Sequence, residues 1–218
     1  MDWLSRLERR FGRWRIPNLM KGLLIGQAAA WAVVMFVYWD FASVLELTRA
    51  GLAHGQIWRL VTFLFVPLYG SVFAFLLGIY LYWIIGSSLE AVWGEFRFNV
   101  YILAGVLGCI AAALLTGSCS NYWIYLSLFL AYAVLYPEQQ LLLFFILPIK
   151  MKWLGWAAGV YWLVDFARAS AGGRIQMTLS LAGFVLFFGP MLYSRARAWA
   201  RREQWRRKNR GDWNNRPR

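Results

Sequence analysis

The chain has 218 residues, of which 61% are hydrophobic and 19% aromatic, while only 15% are charged. An ordinary soluble domain carries about 25% charged residues, so this composition excludes a water-soluble globular fold and points to one that answers to lipid. The formal net charge of +13 would suit a nucleic-acid binder, but the placement of the charges gives it another meaning.

In chain order, Trp3, Leu4, Leu7, Phe11 and Trp14 fall on one helical face with arginines around the rest, the pattern of a helix lying on a membrane surface. Leu19 to Trp39 reads as a first span, with Lys21 near its start able to snorkel its amine to the headgroups. Its apolar run is longer than a signal core and no clear small-residue cleavage site follows, so it is read as retained. Asp40 to Ile57 is neither apolar enough to cross nor polar enough for a bare linker. Val44, Leu45, Leu47, Leu52 and Ala53 suggest short amphipathic helices there, lying in the outer leaflet. This loop ends in GQIWRLVTF, where Trp58 suits the headgroup level and Arg59 can reach a lipid phosphate or cap loop carbonyls.

No charged residue occurs from Leu60 to Leu89, from Phe98 to Pro137, or from Ile175 to Ser194. A span takes about 20 apolar residues, so these windows hold one, two and one crossings, the middle window turning at TGSCSN, Thr116 to Asn121. Between Gln139 and Ala169 the apolar character is broken by Pro148, Lys150 and Lys152. The LLLFFILP run, which opens the loop from Leu141 to Lys152, reads as a short interfacial or partly inserted element. A crossing follows from Trp153 to the far interface at Asp165 and Arg168.

The expected fold is therefore all-α, a polytopic bundle of six transmembrane helices near Leu19–Trp39, Leu60–Leu89, Phe98–Thr116, Asn121–Tyr136, Trp153–Ala169 and Ile175–Tyr193. Residues 1–18 form a basic amphipathic cytoplasmic segment, 19–194 the membrane domain and 195–218 a basic cytoplasmic tail. Of the 23 lysines and arginines, six lie in Met1 to Lys21 and ten in Arg195 to Arg218. Positive charge beside spans marks the cytoplasmic side, which places both termini in the cytoplasm of a multi-pass cell-membrane protein. The basic tail then reads as a contact for anionic lipid, and no nucleic-acid partner is expected.

Ala104, Gly108 and Ala112 recur at intervals of four, as do Ser127 and Ala131, a spacing that lets helix backbones approach closely in lipid. Cys109 and Cys119 do not suggest a disulfide framework, and without neighbouring histidines they offer metal nothing to build on. No metal and no small-molecule cofactor is expected. The chain's one histidine is His54, on the loop before Trp58. A dyad with Ser118 or Ser120 would require two external loops to meet, whereas a lone loop histidine more often faces water. Asp165, close to Arg168, reads as an interfacial charge rather than a buried acid.

GQIWRLVTF, followed after one long span by GSSLEAVWGEFRFNVYILAG, resembles the rhomboid family of intramembrane serine proteases through Trp58, Arg59, Gly86, Glu90 and Gly94. AYAVLYP with LLLFFILPIKMKWLG extends the resemblance to roughly Ile57–Gly155. The resemblance implies a serine nucleophile at the start of the fourth helix, a histidine base in the sixth, and oxyanion donors in the second. Those positions fall on Tyr122, beside Trp123, and on Ser180, Ala74 and Gly78. A hydroxyl without an adjacent base is a poor nucleophile, and an oxyanion without aimed donors loses several kcal/mol of stabilisation. The implied protein is thus a catalytically inactive member that binds transmembrane segments or membrane protein partners, besides membrane lipids. The alternatives are an intramembrane serine-type endopeptidase with an unfamiliar active site and a transporter or channel, the latter weakened by the lack of paired mid-membrane charges.

Overall fold

The computed structural model describes residues 2–68, 71–143, 147–189, 197 and 201, and it divides into two compact units, Met1–Phe184 and Val185–Arg218. The first unit holds helix α1 (Asp2–Phe11), α2 (Leu19–Phe36), α3 (Phe41–Leu45), strand β1 (Leu47–Thr48), α4 (Arg49–Ala53) and α5 (Arg59–Thr62). It continues with α6 (Val72–Trp93), α7 (Glu95–Thr116), β2 (Ser118–Cys119), α8 (Tyr122–Leu135), β3 (Gln140–Leu143), β4 (Leu147–Lys150), α9 (Met151–Arg168) and α10 (Ala171–Ser180). The basic tail from Arg195 and residues 190–193 of the expected sixth span lie outside the described residues, Arg197 and Arg201 excepted.

Six crossings is corrected by this structure. Among the described residues, α2, α6 and α7 are long and apolar enough to cross a membrane, and the count reaches four only if the bent pair Ala171–Ser180 and Ala182–Gly189 is one span. The reasons differ by element. The window from Leu60 to Leu89 is broken: α5 and a 3-10 turn at Phe63–Phe65 occupy its start, and the crossing helix begins at Val72. Helix α8 has 14 residues, about 21 Å at 1.5 Å per residue, against an apolar bilayer core of about 30 Å. Helix α9 has 18 residues, but Lys152, Asp165 and Arg168 leave only Trp153 to Val164 uncharged, well short of about 20 residues. The sixth element breaks at Ser180, where α10 is capped by Leu181, and the helix resumes at Ala182 with a bend of 50°. With three to four helices of crossing length, the six-span rhomboid-like architecture does not hold.

The fold is all-α as expected, with two short antiparallel ribbons in its loops. Strand β1 pairs antiparallel with β2, Leu47 opposite Cys119 and Thr48 opposite Ser118, so the loop before Trp58 is tied to the turn after α7. Strands β3 and β4 form a second antiparallel ribbon, Gln140 opposite Lys150, where the sequence suggested an interfacial element. Glu138 clamps its base by accepting from Lys150 Nζ at 2.8 Å and Lys152 Nζ at 2.9 Å.

Packing in the first unit centres on α7 and α8. Gly94, at φ 81°, is both the end of α6 and the start of α7, so two long helices turn on one residue. A side chain there would be strained, which is why glycine joins them. Gly108 of α7 lies directly against the Leu179 carbonyl, and Gly183 brings its backbone against the Tyr101 carbonyl, so α10 and the turn after it rest on α7 with almost no side chain between. Close approach of small residues is how helices associate where no water-driven force helps. Helix α8 buries Ile124 through Leu128 and Ala131 through Ala133. It is fixed to α7 by Tyr101 Oη donating to Ser127 Oγ at 3.0 Å, while Ser127 Oγ donates to the Ile124 carbonyl at 2.7 Å.

The break before α6 leaves backbone carbonyls in an apolar setting, where an unpaired group is costly. Side chains from two other helices meet that need. Asn121 Nδ2 donates to the Leu64 and Val66 carbonyls at 3.2 and 2.9 Å, Gln27 Nε2 donates to the Val66 carbonyl at 3.2 Å, and Tyr125 Oη donates to the Leu64 carbonyl at 3.4 Å. Gln27 and Asn121 are buried polar residues for this reason.

Candidate functional site

An apolar groove and a polar cleft of the first unit are open to a ligand, besides an apolar hollow of about 430 Å³ between α2 and α6. The groove, of about 880 Å³, is walled by α2 and α7, with Leu60 to Phe65 across it and Leu7 and Phe11 of α1 bordering it. Pockets that hold ligands run to roughly 300–1,000 Å³, so its size is that of a binding groove rather than a packing defect. Leu103 and Val61, both exposed, line it, as does Gly22, whose hydrogen faces open space. Its polar members are Asn18 and Asn99. The Asn99 Nδ2 donates to the Ile16 carbonyl at 3.1 Å, but its Oδ1 is buried with no partner. The α1 end is latched by Glu8 with Arg97 and by Arg15 with Glu95, each at 3.1 Å.

The second feature is a polar cleft of about 190 Å³ beside the β1 and β2 ribbon, lined by Glu46, Ser118, Cys119, Ser120, Asn121 and Gln176 among others. Gln176 Nε2 donates to Thr116 Oγ1 at 2.9 Å and to the Ser118 carbonyl at 2.7 Å, tying α10 to the end of α7. Beneath it, Ser180 Oγ lies 3.1 Å from Cys109 Sγ and 3.4 Å from Cys119 Sγ. Both thiols are free and buried. Nothing in the spacing of two cysteines ten positions apart announces this meeting, because it depends on the chain turning back after Gly117, at φ 104°.

The residues singled out by sequence distribute as follows. Ser180 is fully buried among those thiols. Tyr122 opens α8, its N–H donating to Ser120 Oγ at 3.2 Å and its ring edge-on to Trp123 at 5.0 Å. Ala74, half-buried, and Gly78, buried, lie one turn apart on α6. His54 is exposed at the end of α4, and among the described residues no hydrogen bond joins its ring to Ser118 or Ser120. Asp165 is half-buried in the last turn of α9, whose Phe166 and Ala167 carbonyls accept from Arg174 at 3.1 Å.

Trp58 is exposed, whereas Arg59 ties the loop between α2 and α5 together: its Nη1 donates to the Ser43 and Glu46 carbonyls at 2.7 and 2.6 Å, and its Nε to Gln56 Oε1 at 2.5 Å. Gly86 sits directly under the Met20 side chain, and Glu90 Oε1 accepts from the Leu19 N–H at 3.3 Å. That carboxylate satisfies one of the orphan donors at the start of α2. Sequence reasoning missed Asn99, Asn121 and Gln27. The signal available was a lone amide side chain inside an otherwise apolar run, which in lipid must find a partner.

No protein-family model, no curated protein and no solved structure matches this chain. With three to four helices of crossing length instead of six, the assignment to the rhomboid family, and with it the serine-type endopeptidase class, is withdrawn; what stands is a membrane-associated helical protein with apolar, partly buried helices.

Proposed function

We propose that the chain is a multi-pass membrane protein that binds a transmembrane segment of a partner protein in the groove between α2 and α7. The observation that carries this is the unpaired, buried Asn99 Oδ1 on a groove wall that is apolar but for Asn99 and Asn18. An acyl chain offers that oxygen no donor, while a serine, threonine or amide of a transmembrane segment does, and such interhelical bonds are worth about 0.6–2 kcal/mol in membranes. The large exposed area supports it as well: only 28% of α2 and 33% of α6 is buried within the chain. Lipid covers those flanks where the partner does not.

In this reading residues 1–18 lie on the cytoplasmic surface, 19–194 form the membrane domain, and 195–218 reach anionic lipid from the cytoplasmic side. Trp58, Arg59, Gly86, Glu90 and Gly94 are structural residues. Tyr122, Ser180, Ala74 and Gly78 have no catalytic role. The Ser180 hydroxyl has two thiols beside it, and a hydroxyl needs a base to become a nucleophile.

The test is a pair of tryptophan substitutions. A Cβ added at Gly22 or at Gly159 meets nothing within 4 Å, so both variants are expected to fold, but only Gly22 lines the groove. Crosslinking in native membranes followed by mass spectrometry is expected to lose a partner peptide with Gly22→Trp and to keep it with Gly159→Trp. Equal recovery of the same peptide from both variants contradicts the groove as the binding site.

A further inference from the structure

The only two cysteines of the chain come from different elements, Cys109 from two turns before the end of α7 and Cys119 from β2, yet both thiols reach the same two oxygens. Cys109 Sγ and Cys119 Sγ lie 3.1 and 3.4 Å from Ser180 Oγ and 3.9 and 3.8 Å from the Ser120 carbonyl. Packing alone does not require this. A buried free cysteine behaves as a small hydrophobe, whereas these two are gathered around shared polar partners. The two thiols also differ in access. Cys109 is wholly buried, while Cys119 is 6% exposed and lines the polar cleft of about 190 Å³, so one sulfur of the pair faces an entrance and the other waits behind it.

We propose that Cys109 and Cys119 are a redox-active dithiol, with Cys119 the sulfur that exchanges with a small-molecule disulfide entering the polar cleft and Cys109 the sulfur that resolves the product. In the first step Cys119 loses its proton to water and its sulfur attacks one sulfur of the incoming disulfide. The disulfide S–S bond breaks, a mixed disulfide forms on Cys119, and one small thiolate leaves and takes up a proton. In the second step Cys109 loses its proton and attacks the Cys119 sulfur, forming the intramolecular disulfide and releasing the second small thiol. The protein dithiol gives up two electrons and two protons, and the small disulfide is reduced to two thiols.

Two local features favour this order. Thiol exchange runs through the thiolate and depends on access to the sulfur. Cys119 is the one of the two that lines the cleft, and its polar neighbours, Cys109 first and Ser180 after it, hold its thiol below the usual range. Cys109, in contact with it, needs no diffusion to complete the second step. The product would tie β2 covalently to α7, and through the β1 and β2 ribbon it would fix the loop between α2 and α5 that Arg59 organises.

The test uses the full-length chain in detergent micelles, incubated with oxidised glutathione, then denatured and alkylated with a maleimide. Because there are only two thiols, the count is unambiguous. The expected result is loss of both maleimide adducts and a peptide linked Cys109 to Cys119, restored by reductant. Cys109→Ser is expected to stop at the glutathione adduct on Cys119, and Cys119→Ser to leave Cys109 unmodified. Persistence of both thiols in the native chain, a stable glutathione adduct in place of the internal disulfide, or glutathione on Cys109 in Cys119→Ser would each overturn the proposal. Circular dichroism of the untreated native chain before and after the incubation keeps oxidation separate from unfolding, since the expected disulfide forms without loss of helix.

Discussion

Asn121 does the most for its size. Its amide group donates to two carbonyls at the break before α6, to which Gln27 and Tyr125 add one bond each. Leaving buried acceptors unpaired costs about 1–3 kcal/mol. Asn121→Leu, similar in volume, is therefore expected to lower the thermal midpoint in detergent while leaving the helix content unchanged; a midpoint equal to that of the native chain would contradict the capping role. Glu138 offers a test by pH. Hydrogen bonds from Lys150, then from Lys152, hold its carboxyl at about 2, below the ordinary 4.5. Because the folded value lies below the unfolded one, the contribution of this clamp is complete above pH 4.5 and is lost as pH falls through about 2. The pair is exposed, so the effect on stability is small. A carboxyl-selective NMR titration reads it directly: Glu138 is expected to titrate near 2 in the native chain and to move up in Lys150→Ala with Lys152→Ala. A native midpoint at the ordinary value would contradict the clamp.

Among the elements, the contact of α10 with α7 is the least forgiving. The Leu179 carbonyl occupies the place where a side chain on Gly108 would begin, so Gly108→Leu must push two backbones apart. Overpacking a tight core costs about 1–3 kcal/mol or more, and in this case it also displaces Ser180 from the thiols. The expected outcome is a lower thermal midpoint and loss of the internal disulfide, whereas Gly22→Trp leaves the midpoint unchanged. Equal stability of the two variants would contradict the backbone contact. The sequence carried part of this. Small residues spaced by four marked Gly108 and Ala112 as a close-packed face, and the turn at Thr116 to Asn121 is where α7 ends and α8 begins. Apolar runs located helices α2 and α7, yet run length overstated the crossings. Uncharged sequence does not distinguish a helix exposed to lipid from one like α8, which is apolar because protein surrounds it. The two-residue pairing of β1 with β2 and the meeting of Cys109 with Cys119 were not legible. Both arise from contacts distant in the chain or from a turn at positive φ, and neither leaves a periodic pattern. Asn99 and Asn121 were visible as letters, but what their amide groups face depends on the assembled helices.

At the scale of the whole molecule, three to four helices among the described residues are long and apolar enough to cross a membrane, and much of their apolar surface is left uncovered by the chain. Most of that surface is suited to lipid, as the flank of any membrane helix is. The groove between α2 and α7 differs from the smaller hollow between α2 and α6 because it carries a buried oxygen that lipid tails cannot serve. The orientation adopted for the chain also makes a prediction: with residues 195–218 on the cytoplasmic side, a reporter fused after Arg218 is expected to be inaccessible to impermeant reagents in intact cells. Labelling from outside would reverse the topology.

The most direct measurement is a photoreactive phenylalanine derivative at Leu103, which is exposed on the groove wall, irradiated in native membranes and analysed for adducts by mass spectrometry. The account predicts attachment to a defined transmembrane peptide of another protein, abolished in Gly22→Trp and retained in Gly159→Trp. Adducts to lipid alone, or a peptide adduct that survives Gly22→Trp, would contradict it.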